Sequence, residues 1–361
     1  MTDLSPDASL TQDDSFTATS HKGLTYPLGD YAPDVGEIRR VAKGVSWARI
    51  PMPGSLGHIN TWLLDDGDGV AVVDTGMLLT LCSDAWKALF AGPLKNRPIT
   101  RVICTHLHPD HIGLAGWLCQ KFGVELWMTR GEWLTARMLT SDARDDVPEP
   151  MIALQRGAGW SDDQIAESQA KGWGRFGKMV FPMPISYRRL QEGDVINLGP
   201  HQWRVVIGSG HSPEHACLIN DAAGVMISGD QVLPKISSNV SINVTEPEAD
   251  PLGDWLTSID KLLHISGDLL VCPAHGEPFH GLHTRLKALR DEHHGRLDAV
   301  AAALVKPHRA VDCFPMLFNR EITGNNRELA TGEAQAHLRR LERDGRARRD
   351  ISDGVHWYHA N

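Results

Sequence analysis

Short apolar runs and longer amphipathic stretches alternate along this chain, a pattern that predicts a mixed α/β fold. Residues 58–64 and 70–73 are apolar runs that flank a turn rich in Asp and Gly, and together they predict a β-hairpin. Residues 101–104 predict a buried strand, and residues 112–122 predict an apolar-faced helix that ends at Gly123. Further strands are predicted near 124–128, 188–203, 205–207, 224–228 and 269–272, and further helices near 79–90, 252–264 and 283–304.

The same pattern divides the chain into three predicted parts. Residues 1–30 are rich in Asp, Ser, Thr and Gly with little periodicity, which predicts a flexible N-terminal arm that is either mobile or partly docked. Residues 31–295 carry the main domain, and a helical stretch at about 131–186, rich in Trp, Met, Gln and charge, predicts an insertion within it. Residues 296–361 predict a small winged-helix-like domain, because a helix there is followed by a two-stranded hairpin.

Composition and charge narrow the function classes. The chain has 361 residues, of which 42% are hydrophobic and 22% charged, as in soluble globular proteins. Its net charge of −9 argues against a broad nucleic-acid-binding surface. Neither a membrane-spanning run nor a secretory signal is recognisable, so no membrane partner is expected. Six scattered cysteines without a C-x-x-C pair predict free, buried thiols in a reducing cytoplasm.

Candidate metal ligands cluster directly after one predicted strand. The segment 105–111, Thr-His-Leu-His-Pro-Asp-His, places three imidazoles and one carboxylate within six residues. His106 and His108 are two residues apart, so in an extended segment both side chains can point the same way. Asp110 and His111 follow a proline, where the chain turns and a helix can begin. One loop at the carboxyl end of a strand can therefore supply ligands to two neighbouring metals.

Three further potential ligands follow later predicted strands in order. His211, Asp230 and His275 each come just after an apolar strand, beside a glycine that permits close backbone approach. Any one of them alone would be a weak signal. In order after the histidine loop, the three predict a dinuclear metal site.

With these residues the chain resembles the metallo-β-lactamase superfamily. The resemblance rests on the Thr-His-x-His-x-Asp-His loop, on the ordered His211, Asp230 and His275, and on the Val-Val-Asp-Thr-Gly turn that contains Asp74. Within the superfamily the chain resembles the hydroxyacylglutathione hydrolase (glyoxalase II) branch, in the group with a C-terminal winged-helix-like tail. The resemblance covers about residues 35–290 and implies a four-layer αββα sandwich.

The resemblance also implies a role for each ligand. The first metal would be bound by His106, His108 and His211. The second would be bound by Asp110, His111 and His275, and the carboxylate of Asp230 would bridge the two. Asp74 is implied to orient the ligand loop without binding metal. In zinc β-lactamases the position of Asp230 is usually a cysteine, so the resemblance argues against antibiotic hydrolysis.

The ligand types set the expected chemistry. Imidazole and carboxylate suit Zn, Fe or Mn, and we expect two divalent ions, zinc first. A hydroxide held between two metals, beside Asp110 and Asp230, can attack a carbonyl or phosphoryl centre without a serine or cysteine nucleophile. His215 is a candidate for a contact behind the ligands. Tyr187 is a candidate for polarising a substrate carbonyl if the insertion covers the metals.

The predicted function is a metal-dependent hydrolase of a small carbonyl ester, with a thioester as first choice and a lactone as second. Two other enzyme classes stay open. A phosphodiesterase or endoribonuclease would carry a positive groove leading to the metals, and a mononuclear iron sulfur dioxygenase would need iron and oxygen. A role of the tail in dimerisation or nucleic-acid binding also stays open, although a small-molecule substrate is the expected partner.

Overall fold

The computed structural model describes residues 16–361, and the described chain begins with a hairpin. Its two strands are β1 (Thr19–His21) and β2 (Leu24–Tyr26). The main chain of Thr25 pairs with that of His280 in both directions, at 3.1 and 2.8 Å. The predicted flexible arm, residues 1–30, therefore lies partly outside the described residues. Its second half forms a docked hairpin, because alternate side chains of β2 are apolar and buried.

A seven-stranded mixed sheet follows, with its strands paired in chain order. These strands are β3 (Arg39–Ala42), β4 (Val45–Pro51), β5 (His58–Asp66), β6 (Gly69–Val73), β7 (Ile99–Ile103), β8 (Leu126–Thr129) and β9 (Arg188–Leu190). The antiparallel pairing of β5 with β6 confirms the predicted hairpin. From β6 onward the pairing is parallel, so the carboxyl ends of β6, β7 and β8 meet at one edge.

A second, five-stranded sheet is formed by the later strands, again in chain order. They are β10 (Val195–Leu198), β11 (His201–Gly208), β12 (His215–Asn220), β13 (Val225–Gly229) and β14 (Leu270–Pro273). The predicted strand-and-turn region 188–203 thus divides between the two sheets. Strand β12 was not predicted, because polar residues occur at its ends although all six of its residues are buried.

Helices cover the outer faces of both sheets. In chain order they are α1 (Thr80–Ala91), α2 (Pro109–Ile112), α3 (Ala115–Phe122), α4 (Arg130–Ser141), α5 (Glu149–Gly157), α6 (Asp162–Ala170), α7 (Pro251–Leu262), α8 (Leu282–Ala303), α9 (Phe314–Leu317) and α10 (Arg327–Arg343). The predicted helix 112–122 is divided into α2 and α3 at Gly113. A β-carbon there would lie within 2.6 Å of the main chain of Gly76, so only glycine fits this close approach.

Three apolar cores define the layers. The sheets pack face to face around residues such as Trp47, Trp62 and Leu218. Helices α1, α3 and α4 cover the seven-stranded sheet, where Trp86 and Leu118 are buried. Helices α7, α8 and α10 cover the five-stranded sheet. The predicted mixed α/β fold with an αββα arrangement is therefore confirmed.

The C-terminal segment contains α10 and a final hairpin of β15 (Ala347–Ser352) and β16 (Val355–Ala360). Its helix does not form a core of its own. Leu338 and Leu341 are fully buried in the same cluster as Trp255 of α7. Trp160 of the insertion donates its indole N–H to Thr331 at 2.9 Å. Helix and hairpin occur in the predicted order, but they share the core of the main domain.

All six cysteines are free and buried, as the sequence predicted. Burial raises the pKa of every one of these thiols, to about 12 for Cys119 and Cys313. Across residues 16–361, none of the helices combines the length and apolar composition needed to cross a bilayer.

Truncating the buried side chain Leu338→Ala should lower the free energy of unfolding by about 2–5 kcal/mol, because it leaves a cavity under the five-stranded sheet. Denaturant titration measures this loss. Leu329→Ala on the same helix is the matched control, since Leu329 is 57% exposed and should change stability by less than about 0.5 kcal/mol. Equal effects of the two changes would contradict the shared core.

Candidate metal centre

The predicted ligands all lie at one end of the two sheets, just beyond the carboxyl ends of four strands. Strand β7 is followed by His106, His108, Asp110 and His111. His211 follows β11, Asp230 follows β13, and His275 follows β14. The structure brings these seven side chains into two adjoining groups. Each loop is short, so the backbone of the sheets fixes where its ligand stands.

The first group consists of His106, His108, His211 and Asp230. Nε2 of His106 lies 2.8 Å from Nδ1 of His108 and 3.2 Å from Nε2 of His211. Oδ2 of Asp230 lies 3.4 Å from the His211 nitrogen. Such spacing suits ring nitrogens that share one cation at about 2.0–2.1 Å each.

The second group consists of Asp110, His111 and His275. Oδ2 of Asp110 lies 3.3 Å from Nε2 of His275 and 3.6 Å from Nε2 of His111. Asp230 contacts this group as well, because its Oδ2 lies 3.6 Å from His111 Nε2 and its Oδ1 lies 3.6 Å from His275 Nε2. Asp230 is therefore the side chain common to both groups.

Hydrogen bonds behind three of the imidazoles fix which nitrogen faces the centre. Nδ1 of His211 donates to the main-chain carbonyl of Asn239 at 2.7 Å, and Nδ1 of His275 donates to that of His58 at 2.8 Å. Nδ1 of His111 contacts Oδ2 of Asp74 at 2.9 Å. A carbonyl oxygen can only accept, so Nδ1 of His211 and of His275 carries the proton. Nε2 of each ring then faces the centre, where an unprotonated nitrogen is a metal ligand.

The donor atoms that face the centre fit a bound metal. Nε2 of His111, Nε2 of His275 and Oδ1 of Asp230 are buried and have no hydrogen-bond partner within residues 16–361. Burying such polar atoms is costly unless something satisfies them. Imidazole nitrogens and carboxylate oxygens converging on one point are the ligands of divalent transition metals.

The electrostatics of the groups agree with this fit. Burial and the neighbouring imidazoles hold the pKa of His106 well below its usual value, and His108 falls to about 3. Although burial raises the pKa of the Asp110 carboxyl, His111 and His275 lower it to about 2. For His111, burial lowers the pKa, but Asp74, Asp110 and Asp230 outweigh this effect and raise it well above the usual value. The negative charge of these carboxylates favours a cation at this position. Protons and metal ions compete for this position.

Asp74 lies directly behind the ligand loop. It adopts a left-handed backbone conformation, φ 62°, which is uncommon for a residue with a side chain. Its carboxylate accepts from the main-chain N–H of Thr105 at 2.8 Å and from the Thr105 hydroxyl, in addition to its contact with His111. These contacts connect Asp74 to the ligand loop, and the orienting role that the resemblance implies for it stays a prediction.

The two remaining candidates differ in position. His215 is fully buried, and its Nε2 accepts from the main-chain N–H of Asp230 at 3.0 Å, so it positions Asp230 without facing the centre. Tyr187 stacks on Trp133 of α4, with ring centroids 4.5 Å apart. The contacts described for Tyr187 are with the core beneath the insertion rather than with the seven ligands.

A carboxylate that the sequence did not single out ties two ligand loops together. Glu132, in the first turn of α4, is fully buried. Its Oε2 accepts from the main-chain N–H of Leu107 at 2.9 Å, and its Oε1 accepts from that of Glu214 at 2.7 Å. Leu107 lies between His106 and His108, and Glu214 is in the loop of His211. Burial raises the pKa of Glu132 to about 7. No motif marks it, because it acts on the backbone of distant loops.

Comparison with known protein families agrees with this geometry. The profile of the Metallo-beta-lactamase superfamily matches residues 54–275. The chain belongs to the metallo-β-lactamase superfamily. A second profile, described as the Metallo-beta-lactamase-like, C-terminal domain, matches residues 297–361. The seven candidate ligands lie within the first match, and the helix α10 lies within the second.

Individual relatives extend this result. A crystal structure of a beta-lactamase domain protein from Burkholderia ambifaria has 40% sequence identity and a TM-score of 0.86, covering 94% of this chain and 98% of that one. The probable metallo-hydrolase YqjP of Bacillus subtilis is 24% identical over 306 residues, 81% of this chain and 91% of YqjP. The human acyl-coenzyme A thioesterase MBLAC2 is 28% identical over 203 residues, 54% of this chain and 65% of that protein.

The predicted glyoxalase II branch receives weaker support. Hydroxyacylglutathione hydrolase GloC of Haemophilus influenzae is 25% identical over 217 residues, which are 59% of this chain and 82% of GloC. This identity places GloC among the relatives without singling out its branch. The superfamily is established, and the branch stays a prediction.

Replacing the buried carboxylate, Glu132→Gln, should weaken metal binding by about 10–100-fold, the range seen when a residue that supports the ligands is lost. The carboxylate of Glu132 accepts hydrogen bonds from two main-chain N–H groups. In the glutamine variant the side-chain NH₂ group would face one of these N–H groups, so two donors would meet and that hydrogen bond would be lost. Competition with a chelator measures the affinity. Glu149→Gln, at an exposed position in α5, is the control and should leave it unchanged. An unaltered metal affinity in the Glu132 variant would show that the hydrogen bonds of Glu132 to the two ligand loops do not support metal binding.

Proposed function

We propose that this protein is a hydrolase that cleaves a thioester with two divalent metal ions, zinc being the first choice and iron or manganese the alternatives. The observation that carries the proposal is the position of Asp230. Its Oδ2 faces His211 while its Oδ1 faces His275, so one carboxylate adjoins both groups of ligands. This is the arrangement expected for a residue that bridges two ions.

Divalent ions held there would lower the pKa of a bound water and polarise a carbonyl oxygen. The side chains of the protein supply the remaining requirements. His275 lowers the pKa of the Asp230 carboxyl despite its burial, so Asp230 stays ionised and offsets cationic charge. Asp110 is ionised as well and 16% exposed, so its carboxylate can accept a hydrogen bond from water on the open side of the site. The backbone bonds behind His211 and His275 keep their rings in place as the reaction proceeds.

Hydrolysis by a protein nucleophile is disfavoured. Every cysteine is buried with a raised pKa, so none offers a thiolate near neutral pH. The attacking oxygen is therefore most simply that of water. The choice of a thioester over a lactone draws on the names of relatives, an acyl-coenzyme A thioesterase and a hydroxyacylglutathione hydrolase, both of which are thioester hydrolases by name. A lactone is the second choice, because its carbonyl would meet the same groups.

The contacts of the tail count against the nuclease alternative. Arg339 pairs with Glu248 at 2.6 Å, Arg340 with Asp250 at 2.6 Å and Arg346 with Asp298 at 2.7 Å. Arginines already paired with carboxylates offer little to a phosphate backbone. A small-molecule substrate is thus our proposal. The six free thiols agree with a reducing compartment, and we propose the cytoplasm.

Two complete groups of ligands also favour two ions over one. The ligand atoms of the second group, Asp110, His111 and His275, lie within 4.8 Å of one another, as do those of the first. A mononuclear iron dioxygenase would need only one of them. The dioxygenase alternative would be recognised if protein loaded only with iron consumed oxygen.

A hydrolysis screen on protein of known metal content tests the proposed reaction. Short acyl thioesters, lactones and phosphodiesters are offered at equal concentration, and we expect the highest kcat/KM with thioesters. The same protein stripped with a chelator should lose this activity and regain it with zinc. Preference for phosphodiesters, or thioester cleavage that survives complete metal removal, would overturn the proposal.

The bridging role of Asp230 has its own test. Asp230→Ala should reduce kcat on the order of 10³-fold, because both groups lose the carboxylate that they share. Its circular dichroism spectrum should match that of the parent, since the residue lies after β13 and not within a core. Asp268→Ala, in an exposed turn, is the control and should keep full activity. Turnover near the parental rate with Asp230→Ala would exclude a bridging role.

A further inference from the structure

A small basic pocket lies between the N-terminal hairpin, the segment after Asp230 and the first turn of α8. Its volume is about 230 Å³. The polar residues that line it are His21, Lys22, Lys235, Thr284 and Arg285, and none of its lining residues is acidic. The pocket is below the about 300–1,000 Å³ typical of whole-ligand sites, so it suits one group of a larger molecule.

The positive charges around this pocket exceed the negative charges that neutralise them. Arg285 donates to two neutral carbonyls, those of Leu233 at 2.6 Å and Ile236 at 2.7 Å. Lys235 lies 2.7 Å from Glu277, but Arg49 approaches the same carboxylate at 3.6 Å. Lys235 and Arg49 thus share one carboxylate, while Arg285 contacts only neutral carbonyls among the hydrogen bonds of residues 16–361, on a chain whose net charge is −9.

Two further features make the excess of charge stronger. Lys22 has no ion pair within the described chain and adds a fourth cation. Glu292, along α8 from Arg285, is already paired with Arg296 at 2.7 Å. Because its two bonds to carbonyls hold it in place, the Arg285 guanidinium is fixed before any ligand arrives. A fixed guanidinium with flanking ammonium groups is a typical phosphate-binding arrangement.

The pocket adjoins the metal centre through two short segments. Pro234, which lines it, lies against Gly276, where a β-carbon would come within 2.9 Å of its ring. Gly276 directly follows the ligand His275, and Pro234 lies four residues after the ligand Asp230. The walls of the pocket therefore continue from two metal-binding loops. The pocket and the candidate metal centre are thus neighbours in the fold.

We infer that this pocket binds a phosphate group on the thiol half of the substrate, so that the substrate is a thioester of a phosphorylated carrier thiol. The inference rests on the proposed thioesterase function and narrows its substrate class. Phosphate is favoured over a carboxylate because several cations surround the pocket, and a dianion engages more of them than a monoanion does. A thioester without phosphate would reach the metals but lack this anchor.

Steady-state kinetics with paired substrates test the inference. The same acyl group is presented on coenzyme A, which carries phosphates, and on pantetheine, which carries none. We expect the KM for the pantetheine thioester to be higher by about tenfold or more, with kcat similar, since the anchor acts on binding. The double variant Lys22→Ala/Lys235→Ala should raise KM for the coenzyme A thioester by about tenfold and leave the pantetheine thioester unaffected.

A matched control and a binding measurement separate the inference from the proposed function. Lys287→Ala changes an exposed lysine of α8 that does not line the pocket, and it should behave as the parent. Calorimetric titration with adenosine 3′,5′-bisphosphate, which has no thioester, reports on the pocket alone. We expect binding that is lost in the double variant, retained in Lys287→Ala and weakened by salt.

The outcomes are distinct. Equal KM values for both thioesters, unchanged in the double variant, would overturn the phosphate anchor while leaving the thioesterase proposal intact. If neither thioester is cleaved while the bisphosphate still binds through Lys22 and Lys235, the proposed function is wrong. The proposed substrate class would then be wrong as well. Inorganic phosphate binding as tightly as the bisphosphate, without competing against the coenzyme A thioester, would make this a site for free phosphate and also overturn the inference.

Discussion

Imidazole and carboxylate atoms that face one another inside the protein impose the strongest constraint on this structure. His106, His108 and His211 bring ring nitrogens to within 3.2 Å along the cluster, and Asp230 adds a buried carboxylate. Groups of this kind stay together only when a cation satisfies them or when surrounding bonds hold them in place. Both conditions shape the chain: the donor set suits divalent metals, and a surrounding shell of bonds fixes each donor.

That surrounding shell connects the centre to distant parts of the fold. Asp74 holds the histidine loop, His215 holds the main chain of Asp230, and Glu132 joins the loops of His106 and His211. The C-terminal helix takes part as well. Asn239, whose carbonyl fixes His211, also contacts Glu333 of α10 at 3.2 Å. The tail is thus linked to the site through one asparagine as well as through the shared core.

The sequence predicted the ligands because they occupy strand ends with short spacings. Four of the seven occur in one Thr-His-x-His loop and its proline turn, and the alternation of apolar runs placed His211, Asp230 and His275 after strands. The resemblance then supplied what spacing alone did not, the partition of the ligands between two ions and the role of Asp74. Chemistry carried by side chains in local patterns is what a single sequence predicts best.

What the sequence did not predict depends on long-range contacts. Glu132 and the carbonyl of Asn239 act through backbone groups of distant loops, so neither leaves a local pattern. Residues 19–26 have the composition of a mobile arm, yet pairing with His280 makes them a docked hairpin. The basic pocket likewise exists only because that hairpin packs against the start of α8.

The central claim is that these seven side chains hold two metal ions. Anomalous X-ray scattering from crystals of the zinc-loaded protein, recorded on both sides of the zinc absorption edge, tests it most directly. We expect two peaks per chain, one among His106, His108 and His211 and the other among Asp110, His111 and His275, with Asp230 between them. A single peak at full occupancy, or peaks away from these residues, would contradict it.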